Sequence, residues 1–232
     1  RVSMKFRYDK IELPSLQETP VNGKRHYRTP EGKLYPSVTT VLSGAPSPGL
    51  DRWRAIMGEA EATRIGAMMA RRGQNLHNIC EKYLLNDPNP TKGQMIDVQF
   101  MFRQMKSELD KLDGLLVVEG QLYSDVLGIA GRCDTIAHYV GDLAVVDFKT
   151  TNTPTEFTAV MDDDNKVKKY FMQCYAYKRM FEERTDRTIK YGVLMVASMD
   201  YPTAVYVDDL DRYAEDFLKV LAQYKETHNV QH

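Results

Sequence analysis

The stretch GRCDTIAHYVGDLAVVDFKT, residues 131–150, sets two carboxylates and a lysine inside otherwise apolar runs. In a strand alternate residues share a face, so Leu143, Val145, Asp147 and Lys149 point one way and Ala144, Val146 and Phe148 the other. On the preceding run Arg132, Asp134 and Ile136 share a face. A tight turn centred on Gly141-Asp142 would bring Asp134 opposite the end of the next strand, near Asp147. Two carboxylates that close repel each other and raise each other's pKa unless a cation sits between them. Hard oxygen ligands from neighbouring strands suit Mg²⁺ or Mn²⁺, which keep several waters and accept phosphate oxygens. A lysine beside such an ion can orient a bound water, which makes a phosphodiester hydrolysis site. The competing reading is an Asp147–Lys149 surface ion pair with Asp134 capping a turn. The glycine-led GRCD on an apolar strand weighs against it.

Other residues offer themselves with less specificity. His77 lies one helical turn from Gln74 and from Glu81, beside the apolar Leu76, Cys80 and Leu84; as a lone helix histidine it reads as structural. Glu119, in LLVVEGQLY, is an acid inside an apolar strand. It can complete a cation shell through a water, hold a second metal, or pair with Arg132 across the sheet. Gln173 and Tyr177 stand at i and i+4 on one helix face, with Tyr170 extending the row. Thr150 and Thr151 follow Lys149 and can either bond a phosphate or form a turn. Over residues 52–72, Arg52, Arg54, Arg64, Arg71 and Arg72 face only Glu59 and Glu61, with Trp53 among them. Such a helix is either a solvated face or a phosphate-binding one. The acidic run Asp162, Asp163, Asp164 reads as a solvated loop whose last member, or Asn165, caps the next helix; its alternative is a negative edge to a nucleic-acid channel. His138, about 13 Å along the strand from Asp134, falls outside the site, and His26, His228 and His232 carry no signal.

These residues need elements to position them. KFRYDKIEL and HYRTPEGKLYPSV read as short strands, the second folded at Pro30-Glu31-Gly32. Ser37 caps a brief helix that Gly44 and the Pro46/Pro48 pair end. Residues 50–86 read as helix in two pieces broken near Gly58 or Gly66, ending at Asn86-Asp87-Pro88. Apolar positions at steps of three and four over 94–112 predict an amphipathic helix, with its methionines as core filler. Three antiparallel strands follow, then a helix over 163–183, two further strands, and an amphipathic helix over 210–227. The sum is an α/β domain with a central mixed β-sheet of about five strands flanked by helices. Its expected parts are N-terminal strands and a short helix (1–45), helices (46–113), sheet and helix (114–208) and a closing helix (209–232).

Bulk composition narrows the class. The 232 residues are 43% hydrophobic and 27% charged, ordinary for a globular protein. A net charge of −1 excludes a global polycation, so nucleic-acid binding must come from a local patch. Cys80, Cys133 and Cys174 are scattered and form no CxxC pair, which argues against a zinc knuckle, an iron-sulfur cluster or a disulfide framework. No apolar run is long enough for a bilayer, and RVSMKFRYDK lacks a signal-peptide core, so a soluble cytoplasmic protein is expected. A chain beginning at Arg1 leaves room for a removed segment, with a mitochondrial location as the alternative.

GRCD followed by VVDFK resembles the core of the PD-(D/E)XK nucleases, in particular their RecB-like exonuclease branch. RRGQNLHNICE resembles that branch's histidine motif, mapping to His77, and QCYAY its QxxxY motif, mapping to Gln173 and Tyr177. PSVTTVL and LDRW are similar to the pattern of the mitochondrial genome maintenance exonucleases and their bacteriophage counterparts. The likeness spans about residues 35–200, and the absence of a visible transit peptide favours the phage or bacterial side. The resemblance implies a restriction-endonuclease-like core with a helical N-terminal gate over a single nuclease domain. It implies one or two Mg²⁺ or Mn²⁺ held by Asp134, Asp147, the backbone carbonyl of Phe148 and His77, with Glu119 and Lys149 completing the catalytic set. Gln173 and Tyr177 would face the lysine and the DNA backbone, and the residues 52–72 arginines with Trp53 would admit single strands. The implied activity is exonucleolytic cleavage of DNA in replication, recombination or repair, leaving a 5′-phosphate, by a monomer. Companions would be a single-strand-binding protein, a recombinase or a polymerase. The alternatives are a ring-forming double-strand-end exonuclease and a catalytically silent DNA-binding module on the same fold.

Overall fold

Turn-rich extended segments open the chain. β1 (Gln17–Glu18), β2 (His26–Arg28) and β3 (Leu34–Pro36) form a small antiparallel sheet of their own, with Tyr27 opposite Tyr35. The computed structural model describes residues 5–9, 11–152 and 166–228. Among the described residues of 5–13 the expected strand is reduced to a bridge from Tyr8 to Leu115. α1 (Val38–Ser43) is capped as expected, Ser37 Oγ accepting from the Thr40 N–H at 3.0 Å, and ends at Gly44.

α2 (Pro48–Met57) and α3 (Glu59–Leu84) break at Gly58, not at Gly66. α2 buries no residue, and the buried residues of α3 lie in its C-terminal half apart from Ala62. Among the described residues the first part of this helix pair therefore adds little to the core. The rest of α3 packs with α4 (Ile96–Leu109), whose buried Val98, Met101, Phe102, Met105 and Leu109 keep the expected helical spacing.

β4 (Leu112–Ser124), β5 (Ile129–Tyr139) and β6 (Asp142–Thr150) form the antiparallel meander. The β5–β6 turn is Val140-Gly141, one residue earlier than expected, with Tyr139 paired to Asp142. Both turn residues have positive φ, 50° and 94°, the twist a two-residue hairpin demands. α5 (Lys166–Glu182) then leads to β7 (Tyr191–Ala197), parallel to β6, and β8 (Ala204–Asp209), antiparallel to β7. The sheet order is β4-β5-β6-β7-β8, a five-stranded mixed sheet in an α/β fold. A 3-10 turn (Leu210–Tyr213) leads into α6 (Ala214–Thr227).

Helices cover both faces, as a sheet apolar on both sides requires. Val145, Ile136 and Leu194 pack with α1, α5 and α6; Ala144, Val146, Phe148 and Met195 pack with α3 and α4. The two-residue period of β6 is thereby realised as two separate cores. The small sheet sits on Tyr123 and Ala130 through Leu16 and Tyr27. Among the described residues no helix is long and apolar enough to cross a membrane. The acidic run 162–164 lies outside the described residues.

Candidate active site

The β5–β6 ladder stops at Thr135↔Val146, although the same register would set Asp134 opposite Asp147. Where it stops, the Phe148 peptide group loses its strand partner and must be satisfied otherwise. Asp134 Oδ2 accepts from the Phe148 N–H at 2.9 Å, and His77 Nε2 lies 2.7 Å from the Phe148 carbonyl oxygen, which fixes Nε2 as the donor. His77 Nδ1 then faces Asp134 Oδ1 at 3.1 Å and Glu119 Oε1 at 3.6 Å. The helix α3, on one face of the sheet, thus reaches through the gap between splayed strands to the carboxylates.

Glu119 reaches the same point by a backbone irregularity. Val118↔Thr135 and Gly120↔Cys133 are paired, but between them Glu119 takes φ 47°. Positive φ is uncommon for a residue with a side chain and turns up where structure over-determines a functional position. The neighbour that Glu119 meets is His77, and no pairing with Arg132 forms. Its Oε1 is buried without a hydrogen bond, as is Asp147 Oδ2, which lies 2.8 Å from Lys149 Nζ without hydrogen-bond alignment.

On the other face of the sheet, Lys149 Nζ donates to Gln173 Oε1 at 3.1 Å and stands 4.4 Å from the centre of the Tyr170 ring. Gln173 Nε2 is 3.5 Å from the Tyr177 hydroxyl, so the expected helix row exists and its first task is to seat the lysine. Tyr177 also explains the glycine of GRCD. A Cβ at Gly131 would lie 2.9 Å from Tyr177 Cε1 and 3.1 Å from its hydroxyl oxygen, closer than packed atoms tolerate.

The charges are strongly interdependent. Burial pushes the Asp147 carboxyl up to about 7, with Asp134 adding to the rise and Lys149 opposing it. Burial would raise Asp134 too, but His77 and Lys149 bring it down to about 2. Lys149 is held above its ordinary range: burial works against the ammonium, and Asp147 outweighs it. His77 is likewise raised despite burial, because Asp134 and Glu119 face Nδ1. A buried carboxyl that retains its proton to neutral pH beside a second carboxylate marks a place for a cation. His77, Glu119 and Asp134 offer ligand atoms all within 4.8 Å of one another, and with the orphaned Glu119 oxygen they fit a divalent metal ion. This set shares His77 and Asp134 with the expected one and adds Glu119. Asp147 lies against Asp134, and the Phe148 carbonyl is engaged by His77.

Asp134, Asp147, Lys149, His77, Glu119, Gln173 and Tyr177 all line one cavity of about 260 Å³. Larger hollows of about 420 and 600 Å³ lie elsewhere and gather no comparable set of carboxylates. Arg52, Trp53, Arg54, Arg64, Arg71 and Arg72 do not line the active-site cavity. Arg54 is paired with Glu59 at 2.9 Å, Arg64 with Glu61 at 2.6 Å and Arg72 with Asp97 at 3.4 Å, which reduces the positive charge expected there. Thr150 touches α3 near Gly73, and Thr151 is buried with its N–H on the Ala197 carbonyl. The walls instead include Glu18, Arg25, Tyr27, Ser37, Thr39, Gln74 and Arg132. Those from the N-terminal sheet and α1 were not expected in the cavity: the sequence reads these elements but not where they pack. The three cysteines are buried and unpaired, in line with their reading as small core residues.

No family model matches the chain. Mitochondrial genome maintenance exonuclease 1 of Mus musculus is 27% identical over 127 residues, covering 51% of this chain and 38% of its own length. The Homo sapiens protein of the same name is 24% identical over 214 residues, covering 83% and 59%. Both relatives are named exonucleases. The chain thus spans only part of the length of the relatives it matches. Among solved structures, SSO0001 is 19% identical with a TM-score of 0.35, covering 79% of this chain and 75% of its own. A Eubacterium rectale protein described as a candidate exonuclease is 12% identical with a TM-score of 0.45, covering 69% of each chain.

Proposed function

We propose that this chain is a metal-dependent exodeoxyribonuclease of the PD-(D/E)XK superfamily, RecB-like branch, acting on single-stranded ends in DNA replication, recombination or repair. The observation that carries the reading is the convergence of His77, Glu119, Asp134, Asp147 and Lys149 in one cavity, with the lysine seated by Gln173. The names of the two curated relatives point the same way. His77, Asp134, Glu119 and Asp147 would hold one or two Mg²⁺ or Mn²⁺. Such an ion, when bound, offsets charge on the scissile phosphate and lowers the pKa of water. Lys149, held as the ammonium, orients the attacking water and lies against a phosphate oxygen; it is not a base at neutral pH. His77 donates Nε2–H to the Phe148 carbonyl and keeps Nδ1 aimed at the carboxylates. A 260 Å³ slot roofed by the small N-terminal sheet suits one strand rather than a duplex. The α2 and α3 helices, with Trp53, Arg52 and Arg71, would meet the strand before it enters.

The test is incubation with 5′- and 3′-labelled linear single strands, duplexes and circles, with Mg²⁺, Mn²⁺ or EDTA, beside Asp147→Ala and Lys149→Ala. Linear single strands are expected to be degraded with Mg²⁺ or Mn²⁺, and both variants to be inactive. Degradation that persists in EDTA or in Asp147→Ala overturns the reading.

A further inference from the structure

We infer that Arg132 binds the phosphate next to the scissile one and so sets how the strand is threaded; the inference rests on the nuclease reading above. Arg132 is an exposed arginine in the middle of β5, whose flanking residues Gly131 and Cys133 are buried. An arginine at such a place ordinarily finds a carboxylate. Among the described residues Arg132 has no hydrogen-bond or ion-pair partner, whereas the other cations lining the cavity do: Arg25 Nε lies 3.1 Å from Glu18, and Lys149 is tied to Asp147. It is therefore the one cation of this wall, among the described residues, whose guanidinium is not already matched to an acid.

Its position gives the ligand. Arg132 and Asp134 line the same cavity two residues apart on one strand, about 7 Å along it. That is close to the spacing of successive phosphates in an extended single strand. With the scissile phosphate at Asp134 and Lys149, the neighbouring one falls at Arg132. The planar guanidinium can take two phosphate oxygens at once, a match that lysine lacks.

The experiment compares a short single-stranded oligonucleotide with thymidine 5′-(p-nitrophenyl phosphate), which has a scissile phosphate and no neighbour, using Mn²⁺. Arg132→Gln is expected to lower kcat/KM on the oligonucleotide by 10- to 100-fold, mainly through KM, and to lower the ratio of oligonucleotide to ester rates at least tenfold. Arg132→Lys should recover part of the loss. A neutral methylphosphonate at the adjacent linkage should impair the wild-type protein similarly and cost Arg132→Gln little more. Equal losses on both substrates, or fully additive effects of the methylphosphonate and the variant, would overturn the assignment while leaving the nuclease reading intact. If the wild-type protein cleaves neither substrate, the nuclease reading falls and Arg132 with it.

Discussion

Asp147 is the residue on which pH and metal act together. Its carboxyl titrates near 7 because it is buried beside Asp134, so below that pH a proton occupies the place a cation would take. On the nuclease reading, an ion bound there would displace that proton. Because His77, itself raised above its ordinary value, must also release a proton at Nδ1, Mn²⁺ affinity is expected to climb with pH through 7 and beyond it, as calorimetry between pH 5.5 and 8.5 would show. A flat profile would separate Asp147 from the ion. The signs for the metal-free fold are opposite for the two acids. Asp147, raised above 3.8, contributes stability that is lost as pH climbs from about 4 through 7. Asp134, held near 2, contributes above about 4 and loses it toward 2. Asp134→Asn is expected to reduce hydrolysis by on the order of 10³-fold or more and to abolish the metal-dependent rise in Tm. Retained metal stabilisation would argue against it as a ligand. At this scale the sequence was informative wherever chemistry follows a short period: Asp134, Asp147 and Lys149 from strand alternation, Gln173 and Tyr177 from the helical turn. Glu119 stayed ambiguous because its direction depends on a positive φ that no side-chain pattern announces.

Elements meet at Gly131. The buried Tyr177 ring lies where a side chain at 131 would stand, so α5 and β5 are held at a distance only glycine permits. Gly131→Ala is expected to lower stability by about 1–3 kcal/mol and to disturb the Gln173–Lys149 contact, with activity falling alongside Tm. Adding Tyr177→Leu should restore much of the stability without the activity; purely additive destabilisation would deny the contact. The α2–α3 break and the α4 spacing were both legible, one from a glycine and the other from apolar residues. That α2 contributes no buried residue was not, since an amphipathic pattern with exposed Ile56 looks the same whether or not something packs against it. Because Arg64 is already matched to Glu61, Arg64→Gln should leave kcat/KM within about twofold. Changing Arg52 and Arg71 together to Gln should reduce the salt dependence of oligonucleotide binding, measured by titration at several ionic strengths.

The molecule as a whole brings its site together from widely separated pieces: the roof from residues 18–39, His77 from α3, carboxylates from three strands and the lysine's seat from α5. The five strands of the main sheet were readable because each is long enough to show its period, but their order, with β7 parallel to β6, was not. The β2–β3 pair of the small sheet was read from its Pro30-Glu31-Gly32 turn, but where it packs was not, and with that went Arg25 and the cavity wall it joins. Linear single strands are expected to be degraded far faster than blunt duplexes or circles, and removing the roof, for example by Tyr27→Ala, should narrow that difference. The wide dispersal has a further consequence for the cell that makes this chain. A growing polypeptide that has completed β6 already carries every carboxylate, His77 and Lys149, yet lacks Gln173 and the parallel strand β7 that flanks the site. On the nuclease reading proposed above, a chain halted at that point is expected to be inert toward nucleic acid, and the capacity to cut to arrive only with α5 and β7.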